Sequence, residues 1–235
     1  MNRFVLPAGD SDEVEVKQRI TNGRQQFLGL ELLCGEGALV PRPETELLGL
    51  TAIEKIKSTT SPRVIDVCCG VGNLACAVAT YVPHARIWAT DLTDACVRWA
   101  QKNVEKLSLG ARIEILQGDL FKGLEGQGLE KTTDLIVCNP PYISTGRLAA
   151  DHGGLLKNEP REAFDGGPYG LSVHQRVIAE APKFLKASGW LVMEFGRGQH
   201  TQVRRLLERS RAFDEIMLVD DVSGYPRVAA GRVKL

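Results

Sequence analysis

The chain has 235 residues, 43% of them hydrophobic, and its 29 Lys and Arg are balanced by 29 Asp and Glu. That length suits one large domain, or a domain with a short annex, and suffices to bury a sizeable core. Zero formal charge excludes the basic excess of a nucleic-acid or anionic-membrane binder, and the lack of an apolar run of about 18 residues excludes a membrane-spanning helix.

The leading stretch MNRFVLPAGDSDEVEVK is polar and acidic, unlike a signal peptide. Asp12 to Ile20 reads as one helix, and residues 1–60 are expected to hold that helix, a hairpin and a lead-in. Within the lead-in, Val40-Pro-Arg-Pro-Glu-Thr-Glu46 reads as a turn and helix start, with Glu44 and Glu46 complementing the helix dipole. Val64 to Cys68 is a short apolar strand, followed by a helix rich in small residues from Leu74 to Val82. Ile87 to Thr90 is the second strand. Thr93 then caps a helix that carries Ala95, Val97, Trp99, Ala100 and Val104. Arg112 to Leu116 and Asp134 to Cys138 are strands three and four. Beyond a long glycine-rich loop, Ser172 to Ala187 is a helix containing Pro182, Trp190 to Phe195 the fifth strand, and Gln199 to Arg209 a further helix. Two strands close the chain, Glu215 to Val219 and Arg227 to Val233, joined by a turn at Gly224-Tyr-Pro226. Strand–helix alternation of this kind implies an α/β fold, a mostly parallel sheet with helices on both faces. With no helix between the final two strands, the last enters antiparallel.

The six cysteines, at 34, 68, 69, 76, 96 and 138, mostly sit in apolar segments and lack Cys-x-x-Cys spacing. They read as reduced core thiols of a cytoplasmic protein. The four histidines, at 84, 152, 174 and 200, show no partner pattern and read as solvated or structural.

Open parallel sheets bind ligands at the carboxyl ends of their strands, where strand order reverses. The first strand–helix turn there is Asp66-Val-Cys-Cys-Gly-Val-Gly-Asn73. Gly70 and Gly72 let a ligand approach the backbone, and the helix N-terminus from Asn73 offers free N–H groups. Asp91, followed by Leu92, ends strand two where an acid meets a ribose diol, and Asp119, followed by Leu120, ends strand three on the same rim. The pattern Gly70-x-Gly72-x-x-Ala75 also admits a nicotinamide enzyme, whereas a P-loop is excluded because no Gly-Lys-Ser/Thr follows.

Strand four ends in Cys138-Asn-Pro-Pro-Tyr142. Each proline lacks the N–H a buried ladder needs, so the strand stops there, and the residue before a proline is held extended. Asn139 Oδ1 and the Pro140 carbonyl then form two stiff acceptors suited to one NH₂ group, with Tyr142 against its flat face. Catalysis by such a pair comes chiefly from positioning, where effective molarities reach about 10⁵–10⁸ M.

Asp66 together with Asn-Pro-Pro-Tyr resembles the class I S-adenosylmethionine methyltransferases. "ALVPRPETELL" (38–48), "NPPY" (139–142), "NEPREAFDGGPYGL" (158–171), "MEFGRGQ" (193–199) and "SGYPR" (223–227) resemble, in order, the HemK/PrmC-like family, which methylates a glutamine amide in peptide-chain release factors. The resemblance implies a Rossmann-like, seven-stranded catalytic domain over residues 61–235 that uses S-adenosylmethionine as cofactor. It also implies that Asp66, Cys68, Gly70, Gly72, Asn73, Asp91, Leu92, Asp119, Leu120 and Asn139 meet that cofactor, and that Arg42, Pro43, Tyr142, Glu159 and Glu194 meet the substrate. The sulfonium is already activated, so the reaction needs no metal. Two departures stand out: Cys68 replaces the first glycine of the family's Asp-x-Gly-x-Gly-x-Gly, and only about 25 residues precede the similar region. The second predicts that docking of a release factor does not carry over.

The reading that follows is methyl transfer to an amide or amine nitrogen of a peptide or small molecule. One alternative is cyclisation of S-adenosylmethionine on its own α-amine, giving azetidine-2-carboxylate and methylthioadenosine. Another is methylation of a DNA adenine amine, disfavoured by the zero net charge and the absence of a target-recognition segment.

Overall fold

A computed structural model describes residues 21–150, 156 and 159–235. The expected helix at 12–20, together with His152 and Asn158, lies outside the described residues. A hairpin of β1 (Arg24–Phe27) and β2 (Leu30–Leu33) leads through a short 3₁₀ turn (Pro43–Thr45) into α1 (Glu46–Ile56). There follow β3 (Arg63–Val67), α2 (Asn73–Tyr81), β4 (Arg86–Asp91), α3 (Asp94–Lys106) and β5 (Ile113–Gln117). A 3₁₀ segment (Leu120–Leu124) then precedes β6 (Thr133–Cys138) and α4 (Thr145–Ala150). The chain closes with α5 (Ser172–Phe184), β7 (Leu185–Glu194), α6 (His200–Ser210), β8 (Phe213–Asp220) and β9 (Pro226–Val233).

Seven strands form one sheet in the order β5-β4-β3-β6-β7-β9-β8. Only β9 runs against the others. Strand order reverses between β3 and β6, which pair in parallel with Val67 opposite Cys138. Period-two alternation decides which residues face which layer. Val64, Leu135 and Val137 pack with the hairpin, α1, α2 and α3. Ile65, Val67, Ile136 and Cys138 pack with the 3₁₀ segment, α5 and α6. Both faces of the central strands are therefore buried, as a parallel sheet requires. The small side chains of α2 let it lie close on the sheet: Ala75, Ala77, Val78 and Ala79 are all buried. Among the described residues no helix is long and apolar enough to cross a membrane.

The elements fall where the sequence places them, with one shift of consequence. The helix expected to reach Ala187 stops at Phe184, and β7 begins at once, with Leu185 opposite Thr133. Lys131 is the cause. Its backbone N–H donates to the Lys183 carbonyl at 3.1 Å, and its ammonium donates to the Pro182 carbonyl. The last carbonyls of α5 are thus satisfied from outside the helix, and the chain is released into the sheet. Thr93 caps α3 as expected, its hydroxyl accepting from Cys96 N.

Among the bonds that tie the hairpin to the domain, a fully buried amide joins the most elements. Asn103 Oδ1 accepts from Leu33 N at 2.6 Å, while its Nδ2 donates to the carbonyls of Leu33 and Val71, each at 2.9 Å. One side chain therefore joins β2, α3 and the turn after β3. Replacing Asn103 with Leu strands those three backbone groups, at about 1–3 kcal/mol for each kind of unmet bond. We expect Asn103→Leu to lower the unfolding free energy in urea by about 2–3 kcal/mol. A change below about 0.5 kcal/mol would remove Asn103 as the tie.

Candidate active site

Where β3 and β6 part, a cavity of about 420 Å³ opens above their carboxyl ends. Its floor is the turn after β3. Cys68 has φ +60° and Gly72 φ +79°, both in the left-handed region. That region is free for glycine and strained for cysteine, which explains why a glycine is usual at the position Cys68 holds. Gly72 has a further reason to lack a side chain, since a Cβ would come within 3.2 Å of Ala100 Cβ. At Gly70 no atom lies within 4 Å of where a Cβ would be. The turn is held by the tip of β4: Gly70 N donates to Asp91 Oδ2 at 2.8 Å, and Thr93 N to Oδ1 at 3.2 Å. Burial raises the Asp91 carboxyl above its ordinary range, opposed by those backbone donors.

Cys68, Gly70, Asn73, Asp91, Leu92, Asp119, Leu120, Asn139 and Arg42 all line the cavity. Asp119 accepts from Arg176 at 2.8 Å, which holds its carboxyl below the usual range. Leu92 is 55% exposed there. These residues fit S-adenosylmethionine. An acid at the tip of β4 keeps lone pairs for a diol, Leu92 offers a flat ring an apolar face, and the open space at Gly70 admits a close backbone approach.

The structure places the other sequence-derived candidates elsewhere. Asp66 is fully buried behind the turn, away from the cavity lining, where its Oδ2 accepts from Ala75 N at 3.0 Å and its Oδ1 has no partner. It anchors α2, and burial pushes its carboxyl up to about 8. Glu159 also lies beneath the surface. It accepts from Val40 N at 2.8 Å and from the Arg42 guanidinium, so it is a strut that holds the 38–45 segment against the loop after β6. Gly72, Pro43 and Pro140 stand next to lining residues without lining the cavity themselves. That loop supplies one wall, through Pro160 to Ala163 and Asp165. It is stapled shut where Ile143 N donates to the Phe164 carbonyl and Gly166 N to the Ile143 carbonyl, each at 2.8 Å.

Tyr142 departs from the expected stacking role. Its hydroxyl donates to Glu194 Oε1 at 3.2 Å and accepts from Arg227 at 3.4 Å. Arg227 also lies 3.6 Å from Glu194. Burial pushes the Glu194 carboxyl up to about 7, with Arg227 and the Thr45 hydroxyl acting against it. His174, kept neutral by burial with its pKa down at about 4, holds the Glu194 carbonyl at 2.9 Å. Nearest the cavity, Asn139 Nδ2 donates to Thr45 Oγ1 at 3.1 Å. Among the described residues no donor reaches Asn139 Oδ1, which is left for a ligand. Sequence reasoning missed Thr45, Arg227 and Gln199, although all three lie inside the motifs quoted above. Gln199 clamps the site from behind, donating to the Tyr142 carbonyl at 2.9 Å and accepting from Gly196 N at 2.9 Å.

Residues 45–167 match the methyltransferase small domain family. The release factor glutamine methyltransferase of Geobacter sulfurreducens is 35% identical over 211 residues, covering 90% of this chain and 71% of that protein. Its namesake in Streptomyces coelicolor is 33% identical over 226 residues, covering 94% and 77%. Among solved structures, the release-factor-specific protein-(glutamine-N5) methyltransferase of Alicyclobacillus acidocaldarius is similar with a TM-score of 0.52 at 28% identity, over 83% of this chain and 95% of that one. A methyltransferase from Pyrococcus furiosus reaches a TM-score of 0.64 at 14% identity, over 93% and 98%, a likeness of fold.

Two measurements test these placements. Asp91→Ala should weaken S-adenosylmethionine binding in calorimetry by about tenfold or more, since a charge-assisted bond is lost; an unchanged dissociation constant would overturn the ribose assignment. Asp66 bears on stability. Its folded pKa, about 8 against an ordinary 3.8, means that the folded state keeps a proton the unfolded chain has released between those values. Stability therefore falls as pH rises from about 4 to about 8. Asp66→Asn imitates the protonated acid, so it should match the wild type below about pH 4, already exceed it by about 1–2 kcal/mol near pH 5, and exceed it near pH 8 by on the order of a few kcal/mol. Parallel stability–pH curves for the two proteins would refute the raised pKa.

Proposed function

Because the chain belongs to the release factor glutamine methyltransferase family, we propose that its acceptor is the side-chain amide nitrogen of a glutamine presented in a peptide, as in the relatives' named substrate. When bound, S-adenosylmethionine supplies a methyl carbon activated by its sulfonium. The remaining work is positional and falls to this chain. The observation that carries the reading is the pinned Asn139. Its Nδ2 is committed to Thr45, which leaves Oδ1 of this lining residue as an acceptor with no donor on it among the described residues. The second acceptor on this reading is the Pro140 carbonyl, which takes no backbone hydrogen bond among the described residues and lies between the lining residues Asn139 and Pro141, although Pro140 is not itself part of the lining. An amide NH₂ that gives one hydrogen to each is held in a fixed plane and loses its freedom to rotate before reaction. A planar amide donor suits two acceptors set side by side, which is why a glutamine is the better match than a flexible amine.

On this reading the peptide enters past Pro160 to Ala163 and Arg42, which border the cavity. The relatives are named for transfer to a glutamine, so cyclisation of the cofactor on its own amine gains no support from them. The six free thiols accord with a cytoplasmic setting.

The test is incubation with S-adenosylmethionine, with and without a glutamine peptide taken from a release-factor loop, followed by mass spectrometry of the nucleoside product. S-adenosylhomocysteine that forms only with the peptide, and a methylated peptide amide, are expected. Methylthioadenosine without peptide would overturn the reading. Asn139→Ala should lower kcat well over tenfold while cofactor binding persists; unchanged turnover would remove Asn139 from the mechanism.

A further inference from the structure

We propose that Arg176 is a specificity residue for the cofactor's base: by holding one oxygen of the Asp119 carboxylate, it leaves the other to accept from the 6-amino group of adenine. The inference rests on the reading just given, in which the methyl carbon faces Asn139 at the end of β6. With the ribose at Asp91 on β4, the cofactor runs along the strand ends in the order β6, β3, β4, and the base is left to the tip of β5. Adjacent strands lie about 4.8 Å apart, so each part of the extended nucleoside meets a different strand end. Of Gly118, Asp119 and Leu120, which line the cavity there, only Asp119 has a side chain that can read a base edge.

That carboxylate is fixed through both its backbone and its side chain. Gly118 N donates to the Asp91 carbonyl at 2.9 Å, and Lys122 N to the Asp119 carbonyl at 3.2 Å. A Cβ at Gly118 would lie 2.4 Å from Gly123 N, so the turn closes only around a glycine. The side chain is held from α5, where Val173 and Arg176, three residues apart, both line the cavity. Arg176 Nη2 donates to Asp119 Oδ2 at 2.8 Å. The Lys122 ammonium stands 3.9 Å from the same oxygen, beyond hydrogen-bond reach. Among the described residues no donor reaches Oδ1.

A guanidinium has protons to give and no lone pair to offer, so it dictates polarity to whatever it holds. The carboxylate turns one oxygen to Arg176 and has only an acceptor left for the base. That acceptor matches the hydrogens of a 6-amino group and opposes the lone pairs of a 6-oxo group. The same pairing holds the Asp119 carboxyl below its ordinary range, so the acid has no proton to donate near neutrality. By itself the pair is a half-exposed salt bridge, with side chains 44% and 36% exposed, and adds little to stability. A base seated over it excludes the screening water, and the discrimination grows accordingly. Arg176 is a positioning residue on this account, since it acts through Asp119.

Calorimetry of the full chain with S-adenosylhomocysteine and its 6-oxo counterpart, S-inosylhomocysteine, provides the test. The wild type should bind the amino form about tenfold more tightly or better, the difference that one charge-assisted hydrogen bond makes. Arg176→Met, which keeps the length and loses the donors, should weaken binding of the amino form about fivefold to tenfold and barely change the oxo form. Arg176→Lys should recover much of the preference. Asp119→Asn is the sharper probe. Arg176 should claim its amide oxygen and turn the NH₂ to the base, so that the preference inverts towards the oxo form. Adding Arg176→Met should bring the two ligands back to near parity. Tighter binding of the amino form by Arg176→Met would mean that the guanidinium competes for Asp119, and the proposal fails. It fails equally if the inversion survives in the double variant, or if Arg176→Met weakens both ligands alike, as a purely structural role would. Unchanged preference in Asp119→Asn refutes the base assignment and leaves the glutamine reading to the Asn139→Ala turnover assay.

Discussion

The parallel pairing of Val67 with Cys138 sets the geometry on which the rest of the site depends. It brings residues 71 positions apart to neighbouring strand ends, so the turn that begins at Cys68 and the rigid tip that begins at Asn139 flank one cleft. Every other part is arranged around that juncture. Asp91 pins the turn from the β4 side, and Thr45 pins Asn139 from the side of α1. Because β3 and β6 are buried on both faces, their ends cannot drift, and the distance between the two halves of the site is fixed by the core. Cys68 then carries a small strain of the order of 1–2 kcal/mol, tolerated because Cys69 N donates to the Thr90 carbonyl at 3.0 Å and keeps the turn in place.

Behind the cleft lies an unusual concentration of buried charge. Glu194, Arg227 and Tyr142 share their hydrogen bonds, and Asp66 stands alone except for Ala75. Buried ions rarely repay their desolvation, so stability is a poor reason for keeping them. They do impose direction. The Tyr142 hydroxyl is aimed at Glu194 Oε1, and Arg227 reaches both, so ring and carboxylate are held in one arrangement behind the cleft. Burial raises the Glu194 carboxyl above its ordinary range, and Arg227 opposes that rise.

Much of the fold was legible because strand–helix alternation is a local property. Val64 to Val67 and Leu135 to Cys138 announce buried strands, and Thr93 announces a cap. The end of α5 was not legible, because Pro182 is tolerated in a last turn and the stop comes from Lys131, 51 residues away. The site shows the same division. Asp91 and Asn139 were readable from their place at strand ends. Asp66 was misplaced although its own strand carried the signal: it alternates with Ile65 and Val67, which face α5 and α6, so it shares the opposite face with Val64 and meets α2. Thr45 and Arg227 were hidden for another reason. Their partners lie 94 and 85 residues away in sequence, and no periodicity reports such a contact.

The segment before α1 shows why the substrate side of the cavity is inseparable from the domain's stability. Leu39, Pro41, Arg42 and Thr45 all border the cavity, yet no strand of the main sheet runs through them. They are held by struts: Glu159 on Val40 and Arg42, Asn103 on the hairpin, and Glu46, whose carboxylate accepts from Leu28 N at 2.8 Å. The Arg42–Glu159 pair has side chains only 12% and 2% exposed, so loss of either partner leaves the other charge stranded in the interior. Such a penalty is larger than the pair's net contribution when intact. The consequence is a wall that is either seated or displaced as a unit, with little scope for partial loosening. A segment seated in that way carries Thr45 to Asn139 with the accuracy that positional catalysis demands, and it does so from outside the sheet.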